Sequence, residues 1–501
     1  AVKLRMDFVG LLGARGAKLA VGLATMLVYA RIFGISATYD AWIWSLGIVN
    51  AAGLILFGPI TETIRASYSS IDHQEGPEAA GKYLATVAAL MIGSAVVIAA
   101  VAALALPVIA EWILDPASEQ ARASAFFLYV LAPSLAVSQL VTVLTAHLNC
   151  HGRIYPPEIA GVLGGAAGVL LVVLFPRLPA TWLLPLSYYM GLLTPLLVGA
   201  SFWPELIRAL THLSATEFRR HGREALTFSL PLLLPYALGQ ISGLVERQFA
   251  LAAGTGVLAV LSYAMFARNT VQAVFTAALA ALAVLELARA WHRTDTLAFR
   301  HAVRRWIHQC LLLGTLGMLV LFALSGIIRP ILFGSRIDAA AQSLLTQLLQ
   351  LYAVAMFAVI LYLLGGSSLL AAKRGKIYAL ASAGASIGSV ALLTGLFPLI
   401  GIRAVPVALA FSHASAAWMM FRSIDRADAG WIVRQGILRV LVVGAGGAVV
   451  QVIDTAARGA AMPVLARLML CLSSAGLLCG LWWLVDRRAP APIAVADRGS
   501  S

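Results

Sequence analysis

The chain has 501 residues, 61% of them hydrophobic and 12% charged, against roughly 25% charged in soluble domains. That is too little charge to cover a water-soluble surface of this length, which excludes a soluble enzyme or a soluble binding domain. Thirty-six Lys and Arg against 22 Asp and Glu leave a net charge of +14. No soluble surface of interleaved basic and aromatic residues accompanies that excess, so no nucleic-acid partner is expected.

Apolar runs long enough to cross a bilayer, which takes roughly 18–20 residues, recur along the whole chain and predict fourteen helices. The first six have cores at 8–33, 41–65, 83–110, 121–148, 155–176 and 181–203 and form an N-lobe over 1–203. The first is too long for a secretory signal and lacks a small-residue cleavage site; the chain opens on Ala rather than Met, and a trimmed start is expected. Residues 204–224 are amphipathic and basic and read as a cytoplasmic linker along the membrane surface. Helices seven to twelve, at 225–253, 257–288, 305–328, 340–371, 377–400 and 402–421, form a C-lobe over 225–422. Two further helices, 433–453 and 463–485, occupy 423–488, and 489–501 is a cytoplasmic tail. The expected fold class is an all-α polytopic membrane protein of about fourteen transmembrane helices, with two pseudo-symmetric six-helix lobes plus two C-terminal helices.

The two lobes carry a repeat. Pro107 to Tyr155 lies over Pro330 to Tyr378 without a gap, a spacing of 223 residues. Asp115 falls on Asp338, Tyr129 on Tyr352, and the basic turn His151 to Tyr155 on Arg374 to Tyr378. Duplicated membrane bundles are the signature of transporters whose halves rock about a site near the midplane.

Orientation follows from Lys and Arg. With a cytoplasmic N-terminus, the inner segments carry Lys3 and Arg5; Arg208, Arg219, Arg220 and Arg223; Arg289, Arg293, Arg300, Arg304 and Arg305; Lys373, Arg374 and Lys376; Arg422, Arg426, Arg434 and Arg439; and the tail pair Arg487 and Arg488. Outer loops hold scattered bases such as Arg122, Arg329, Arg336 and Arg403. This bias places both termini in the cytoplasm and accounts for most of the net charge.

Charges inside the predicted spans mark candidate site residues. The first helix carries Arg15, Lys18 and Arg31; the second Glu62 and Arg65; the seventh Glu246 and Arg247; the eighth Arg268 and, one turn on, Gln272, and it ends near Glu286. A charge at depth costs about 2.5–3.5 kcal/mol on insertion scales and should face a wet cavity or a partner. Arg15 and Lys18 share a helix face, and Glu62 has the spacing to pair with Arg65. Cations outnumber acids here. A cationic site in low dielectric suits an anionic substrate group, and guanidinium matches phosphate in bidentate fashion. The plainer role for each group is an interface anchor or a structural ion pair.

The segment Ala30-Arg31-Ile32-Phe33-Gly34, followed by Thr38-Tyr39-Asp40-Ala41, resembles the stretch closing the first helix of the MurJ/MviN-type lipid II flippases of the multidrug/oligosaccharidyl-lipid/polysaccharide exporter superfamily. Arg329 to Gly334 resembles that family's entry to its tenth helix, and Leu261-Ser262-Tyr263-Ala264 the start of its eighth. The resemblance implies two six-helix lobes around a cationic cavity and a groove at the last two helices for a polyprenyl tail. It implies an undecaprenyl-pyrophosphate-linked saccharide as substrate. Arg31 and Asp40 match family positions. Thr25-Met26 stand where the family has an Arg-Asp pair, Ala52-Gly53 where it has paired arginines, and Phe266 where it has an arginine, with Arg268 two residues on; Lys18 falls beside the family's earlier arginine. These departures favour another lipid-linked glycan, such as an exopolysaccharide repeat unit, over lipid II.

On this reading the pyrophosphate meets Arg15, Lys18 and Arg268, the sugar lies near Asn50 and Gln240, and the tail stays in the bilayer or the groove. The protein is expected to be a monomeric transporter of the bacterial inner membrane, not an enzyme, with membrane lipid as its other partner. No Walker A motif is present, so no ATP use is expected. No cofactor is expected; a coupling ion or the membrane potential is left open, with Glu62, Glu246 and His413 as candidate coupling groups. A MATE-like drug or cation antiporter is the alternative; it would be expected to carry a dominant acidic site. A membrane polymerase or glycosyltransferase would need larger outer loops. Cys150, Cys310, Cys471 and Cys479 show no metal spacing and read as apolar packing. Gly161, Gly164, Gly165 and Gly168, and Gly444, Gly446 and Gly447, read as sites of close helix packing, and Pro59 as a kink.

Overall fold

The computed structural model describes residues 2–480, apart from 115–117, 152, 154, 293–295, 333–338, 460–461, 464–465, 468, 472, 475 and 478–479. Asp115, Asp338, Arg293, Arg336, Cys479, Arg487, Arg488 and the tail 489–501 lie outside the described residues, as do the side chains of Lys3, Arg5, Arg15, Arg65, Arg289 and Arg329 and much of the expected last helix at 463–485.

The described residues are helical, with no strand among them. In chain order the helices are α1 (Val2–Ile32), α2 (Ala37–Glu75), α3 (Pro77–Ile113), α4 (Glu119–Leu131), α5 (Ser134–Cys150), α6 (Tyr155–Leu174), α7 (Ala180–Val198), α8 (Trp203–Thr211), α9 (Ala215–Ala252), α10 (Val257–His292), α11 (Thr296–Leu332), α12 (Ala339–Ala371), α13 (Gly375–Ile400), α14 (Ala404–Ile424) and α15 (Arg426–Gly459). Nine helical stretches among the described residues are long and apolar enough to cross a membrane, or ten with the bent pair α4 and α5 as one span. An all-helical membrane fold is therefore what the chain adopts. Large apolar side chains stand open on α3, with Leu104 76% exposed, as expected of a face meant for lipid rather than water.

Local chemistry sets the boundaries. Ser36 caps α2, its hydroxyl accepting from the Tyr39 amide at 3.2 Å. Gly76, at φ 92°, turns the chain between α2 and α3, and Pro77 opens α3. The predicted fourth helix is broken: α4 and α5 meet at 42° around Ala132 and Pro133. Pro133 has no N–H to donate and its ring crowds the preceding turn. At the equivalent place in the second repeat copy stands Met356, and α12 runs through it unbroken. The copies differ again at their shared tyrosine, which is 60% exposed at Tyr129 and fully buried at Tyr352.

The stretch expected as a linker, 204–224, divides in two. Trp203–Thr211 is a short amphipathic helix, and the rest belongs to α9. Ser214 and Glu217 form a reciprocal capping box that starts α9 ten residues before its apolar run. Helix α2 continues through Pro59 as one helix; the Thr63 hydroxyl takes up the Pro59 carbonyl and meets the Ser229 hydroxyl of α9 at 2.8 Å. Arg439 is fully buried inside α15, donating to the Thr315 hydroxyl at 3.3 Å. Helix α15 starts at Arg426, so Arg439 lies well within it rather than in the preceding connection.

The chain divides into two compact units. Unit 1 comprises Ala1–Tyr263, Leu332–Ala341 and Val390–Ile402; unit 2 comprises Ala264–Ile331, Gln342–Ser389 and Arg403–Ser501. Unit 1 is built on a core of Phe57, Ile64, Tyr83, Leu84 and Met91, with Val143 and Ala225. The expected glycine seam is present there: a Cβ on Gly164 would stand 2.8 Å from the Gly191 carbonyl oxygen, and one on Gly168 2.8 Å from that of Ser187. In unit 2, Leu369, Ala381, Ala385, Ala416 and Met420 join α12, α13 and α14.

Candidate functional site

Within unit 1 a cavity of about 450 Å³ opens between α2, α5, α7 and α9. That size lies in the roughly 300–1,000 Å³ range of small-molecule sites. Asn50, Thr61 and Glu62 enter it from α2, Ser134, Ser138, Gln139 and Thr142 from α5, Tyr188 from α7 and Tyr236 from α9. Gly58 makes the room: a Cβ there would stand 2.6 Å from the Tyr236 ring, whose hydroxyl reaches the Glu62 carboxylate at 3.4 Å. Asn50 sits near the middle of the apolar stretch Ala37–Ile64 and Glu62 at its end. Twelve residues of helix rise about 18 Å, so the cavity extends from the middle of that apolar stretch to one end of it.

Polar groups at that depth are costly unless something uses them. Gln139 is 5% exposed, its amide donating to the Ser138 hydroxyl at 3.1 Å; the Thr142 hydroxyl donates to the Ser138 carbonyl at 2.8 Å. Among the described residues, no Lys, Arg or His lines the cavity. The walls therefore offer amides, hydroxyls, two phenol rings and one carboxylate. That set can exchange several hydrogen bonds with a neutral polyol while the rings pack on its apolar faces. Asn50 and Glu62 are brought together here. Gln240 lies one turn beyond Tyr236 on α9 but is not among the lining residues. The five polar residues of α5 and α7 were not singled out from sequence; the signal was Ser134, Ser138 and Thr142 at helical spacing within an apolar span.

Asp40 has another place. It is fully buried, and its carboxylate accepts hydrogen bonds from the Gly256 amide and, at 2.7 Å, from the Ala259 amide at the start of α10. Tyr39 stacks on Tyr263, centroids 5.7 Å apart, and the Tyr263 hydroxyl donates to the Gly34 carbonyl at 3.1 Å. Nearby, Arg247 lies across α2 at Gly47, where a Cβ would stand 2.7 Å from its Cδ, and it donates to the Gly243 carbonyl at 3.3 Å. Glu246, beside it on α9, is buried. Trp44 donates to the Gln248 side chain at 3.1 Å. These residues join α2 to α9 and to the first turn of α10.

Lys18 is exposed along α6, with Nζ 3.6 Å from the Glu158 carboxylate. Arg31 is exposed at the end of α1.

In unit 2, the Arg268 guanidinium donates to the Asn269 side-chain oxygen at 2.5 and 3.1 Å and lies over the Tyr352 ring, 5.3 Å from its centroid. One turn on, the Gln272 side-chain oxygen is buried without a hydrogen-bond partner among the described residues. His413 packs edge-on against Tyr362 at 4.8 Å and its Nδ1 donates to the Leu409 carbonyl at 3.0 Å, while the Tyr362 hydroxyl donates to Ser382. Glu286 is taken up by Arg305 and by the Trp306 indole at 3.1 Å, a structural clamp between α10 and α11. Among the described residues, no three His, Cys, Asp or Glu are grouped to hold a metal ion.

A sequence profile of the family described as the lipid II flippase MurJ matches residues 29–468. No curated protein matches the chain. Among solved structures, a lipid II flippase MurJ in an inward closed conformation is similar with a TM-score of 0.75 at 14% identity, over 96% of this chain and all of that one. An inward-facing multidrug resistance MATE family transporter of the MOP superfamily matches with a TM-score of 0.70 at 14% identity, over 83% of this chain and 96% of that one. A MOP superfamily transporter from Pyrococcus furiosus, described as having a binding pocket of reverse polarity, matches with a TM-score of 0.57 at 16% identity, over 85% of this chain and 94% of that one.

Proposed function

Because this chain belongs to the family of the lipid II flippase MurJ, we propose that it carries a lipid-linked saccharide across the bacterial inner membrane. The substrate is an undecaprenyl-pyrophosphate-linked glycan, moved from the cytoplasmic to the periplasmic leaflet by alternating access. The protein acts as a transporter rather than an enzyme, as a monomer of fourteen spans with both termini in the cytoplasm. The N-lobe is 1–203, the C-lobe 225–422, and the last two helices lie beyond them.

The observation that carries this reading is the polar cavity of unit 1. It begins at mid-span, and its amides, hydroxyls and phenols suit a glycan. Asn50 and Glu62 contact the sugar, with Gln240 at the next turn of α9. Arg15, Lys18, Arg31, Arg65, Arg247, Arg268 and Gln272 serve the pyrophosphate along its path, and Asp40 and Glu246 order the helices that present them. The departures from the family's arginine positions favour an exopolysaccharide repeat unit over lipid II. The test is leaflet accessibility of the lipid-linked saccharide in cells depleted of this protein. Accumulation on the cytoplasmic side, relieved by the wild-type gene and not by Arg268→Ala, is expected. Unchanged export together with raised sensitivity to cationic dyes would instead favour the MATE-like antiporter, whose fold is also similar.

A further inference from the structure

We infer that the unit 1 cavity selects its glycan by charge, taking an uncharged or amino-bearing saccharide and rejecting one that carries a carboxylate. The inference rests on the flippase reading and narrows its substrate class.

Three observations lead to it. Among the described residues lining the cavity there is no cation, so no wall group there can neutralise an incoming carboxylate. The one charged residue among the described lining residues, Glu62, stands at the end of the apolar stretch of α2. The Tyr236 hydroxyl, 3.4 Å from its carboxylate, holds that group at the cavity wall. Deeper in, the buried Gln139 and the hydroxyls of Ser138 and Thr142 are neutral donors and acceptors.

The physical argument is negative selection. Like charges brought together out of bulk water cost far more than a lost hydrogen bond between neutral groups gains. A carboxylated sugar would lose hydration on entry and meet Glu62 with no guanidinium or ammonium among the described lining residues to offset it. A hydroxyl, an acetamido group or a protonated amine at the same place meets an acceptor. Of the described cations, Lys18 is against Glu158 on α6, and Arg268 is over Tyr352 within unit 2. The division of labour is then clear, with phosphate recognition outside this cavity and glycan recognition within it.

The experiment uses the full-length protein in nanodiscs and three probes, all on undecaprenyl pyrophosphate: no sugar, a neutral N-acetylglucosamine disaccharide, and the same disaccharide ending in glucuronate. Native mass spectrometry reads their relative affinities, with a thermal melt as the folding control. The neutral glycolipid should bind about tenfold or more tightly than the glucuronate form, about 1.4 kcal/mol or more. Glu62→Gln should narrow that ratio, and Gln139→Leu should weaken the neutral glycolipid toward the sugar-free lipid. Equal binding of the two glycolipids overturns the charge selection and leaves the flippase reading standing. Equal binding of the neutral and sugar-free lipids shows that the cavity does not read the glycan. Failure of all three lipids to bind overturns the flippase reading itself. If Glu62→Gln does not fold, Glu62→Asp, which keeps the charge, should keep the discrimination; its loss there would count against the assignment.

Discussion

The Asp40 carboxylate accepts a hydrogen bond from the Ala259 amide at 2.7 Å, 219 positions along the chain. The Gly256 amide donates to its other oxygen. One carboxylate thus satisfies two of the amides that a helix leaves unpaired at its N-terminus, and its charge opposes the positive end of the α10 dipole. The residue is fully buried, so water cannot replace it.

Asp40→Asn should therefore destabilise the fold more than an ordinary polar exchange. Asparagine keeps one acceptor but turns an amide group toward the second backbone N–H and removes the charge. A loss of about 1–3 kcal/mol is expected, the cost of leaving a buried donor unsatisfied. The lowered melting temperature of the purified protein reads it, and a melt unchanged from wild type would remove the clasp from the account.

Substitution at the α6 and α7 seam should be costly where backbone faces backbone. A Cβ on Gly168 would stand 2.8 Å from the Ser187 carbonyl oxygen and 2.9 Å from its hydroxyl. Neither can retreat without moving α7, because the same hydroxyl donates to the Gly168 carbonyl at 3.0 Å. Gly168→Ala should cost about 1–3 kcal/mol by overpacking. Gly93, on α3, has nothing within 4 Å of the added carbon, and Gly93→Ala should leave the melt unchanged or raise it. Equal melts for the two variants would contradict the close approach.

How much of this was legible beforehand depended on which signals are local. Length of apolar runs needs no knowledge of neighbours, and the helices follow it. The glycines of α6 were legible because a cluster of four small residues in one span has few other uses. The start of α9 was also present in the sequence, since Ser214 and Glu217 have capping-box spacing, but the basic residues after them read more loudly as a linker. The bend at Pro133 was visible only as a proline in an otherwise apolar span. The wall of the cavity was not legible as a wall. Ser138, Gln139 and Thr142 become a surface only once α5 is rotated against Asn50 and Glu62 of α2, and rotation is a property of packing. Asp40 shows the reverse: a charge chosen for its position turned out to be held by backbone.

Cavity variants separate glycan handling from folding. Gln139→Leu removes a buried amide from the wall and keeps nearly the same volume. The lost partner for a bound glycan should lower export about five- to thirtyfold, as for one or two kcal/mol of binding, while the melt stays within a degree or two. Export is read as periplasmic accessibility of the lipid-linked saccharide. Full export with a normal melt would take Gln139 out of the site.

The final helices offer a double-mutant test in unit 2. Asp454 on α15 and Arg467 form a buried pair, with the guanidinium Nε and Nη2 at 2.9 and 2.5 Å from one carboxylate oxygen. Both side chains are less than a tenth exposed. Removing one partner strands the other charge away from water, so Asp454→Leu or Arg467→Met alone should cost about 3–5 kcal/mol. Removing both, as Asp454→Leu with Arg467→Met, should cost much less than the sum, because no charge is left unpaired. Melts of the four proteins close the cycle. Additive losses would mean that the two residues act separately, and that the end of α15 is held to the chain beyond it by apolar packing alone.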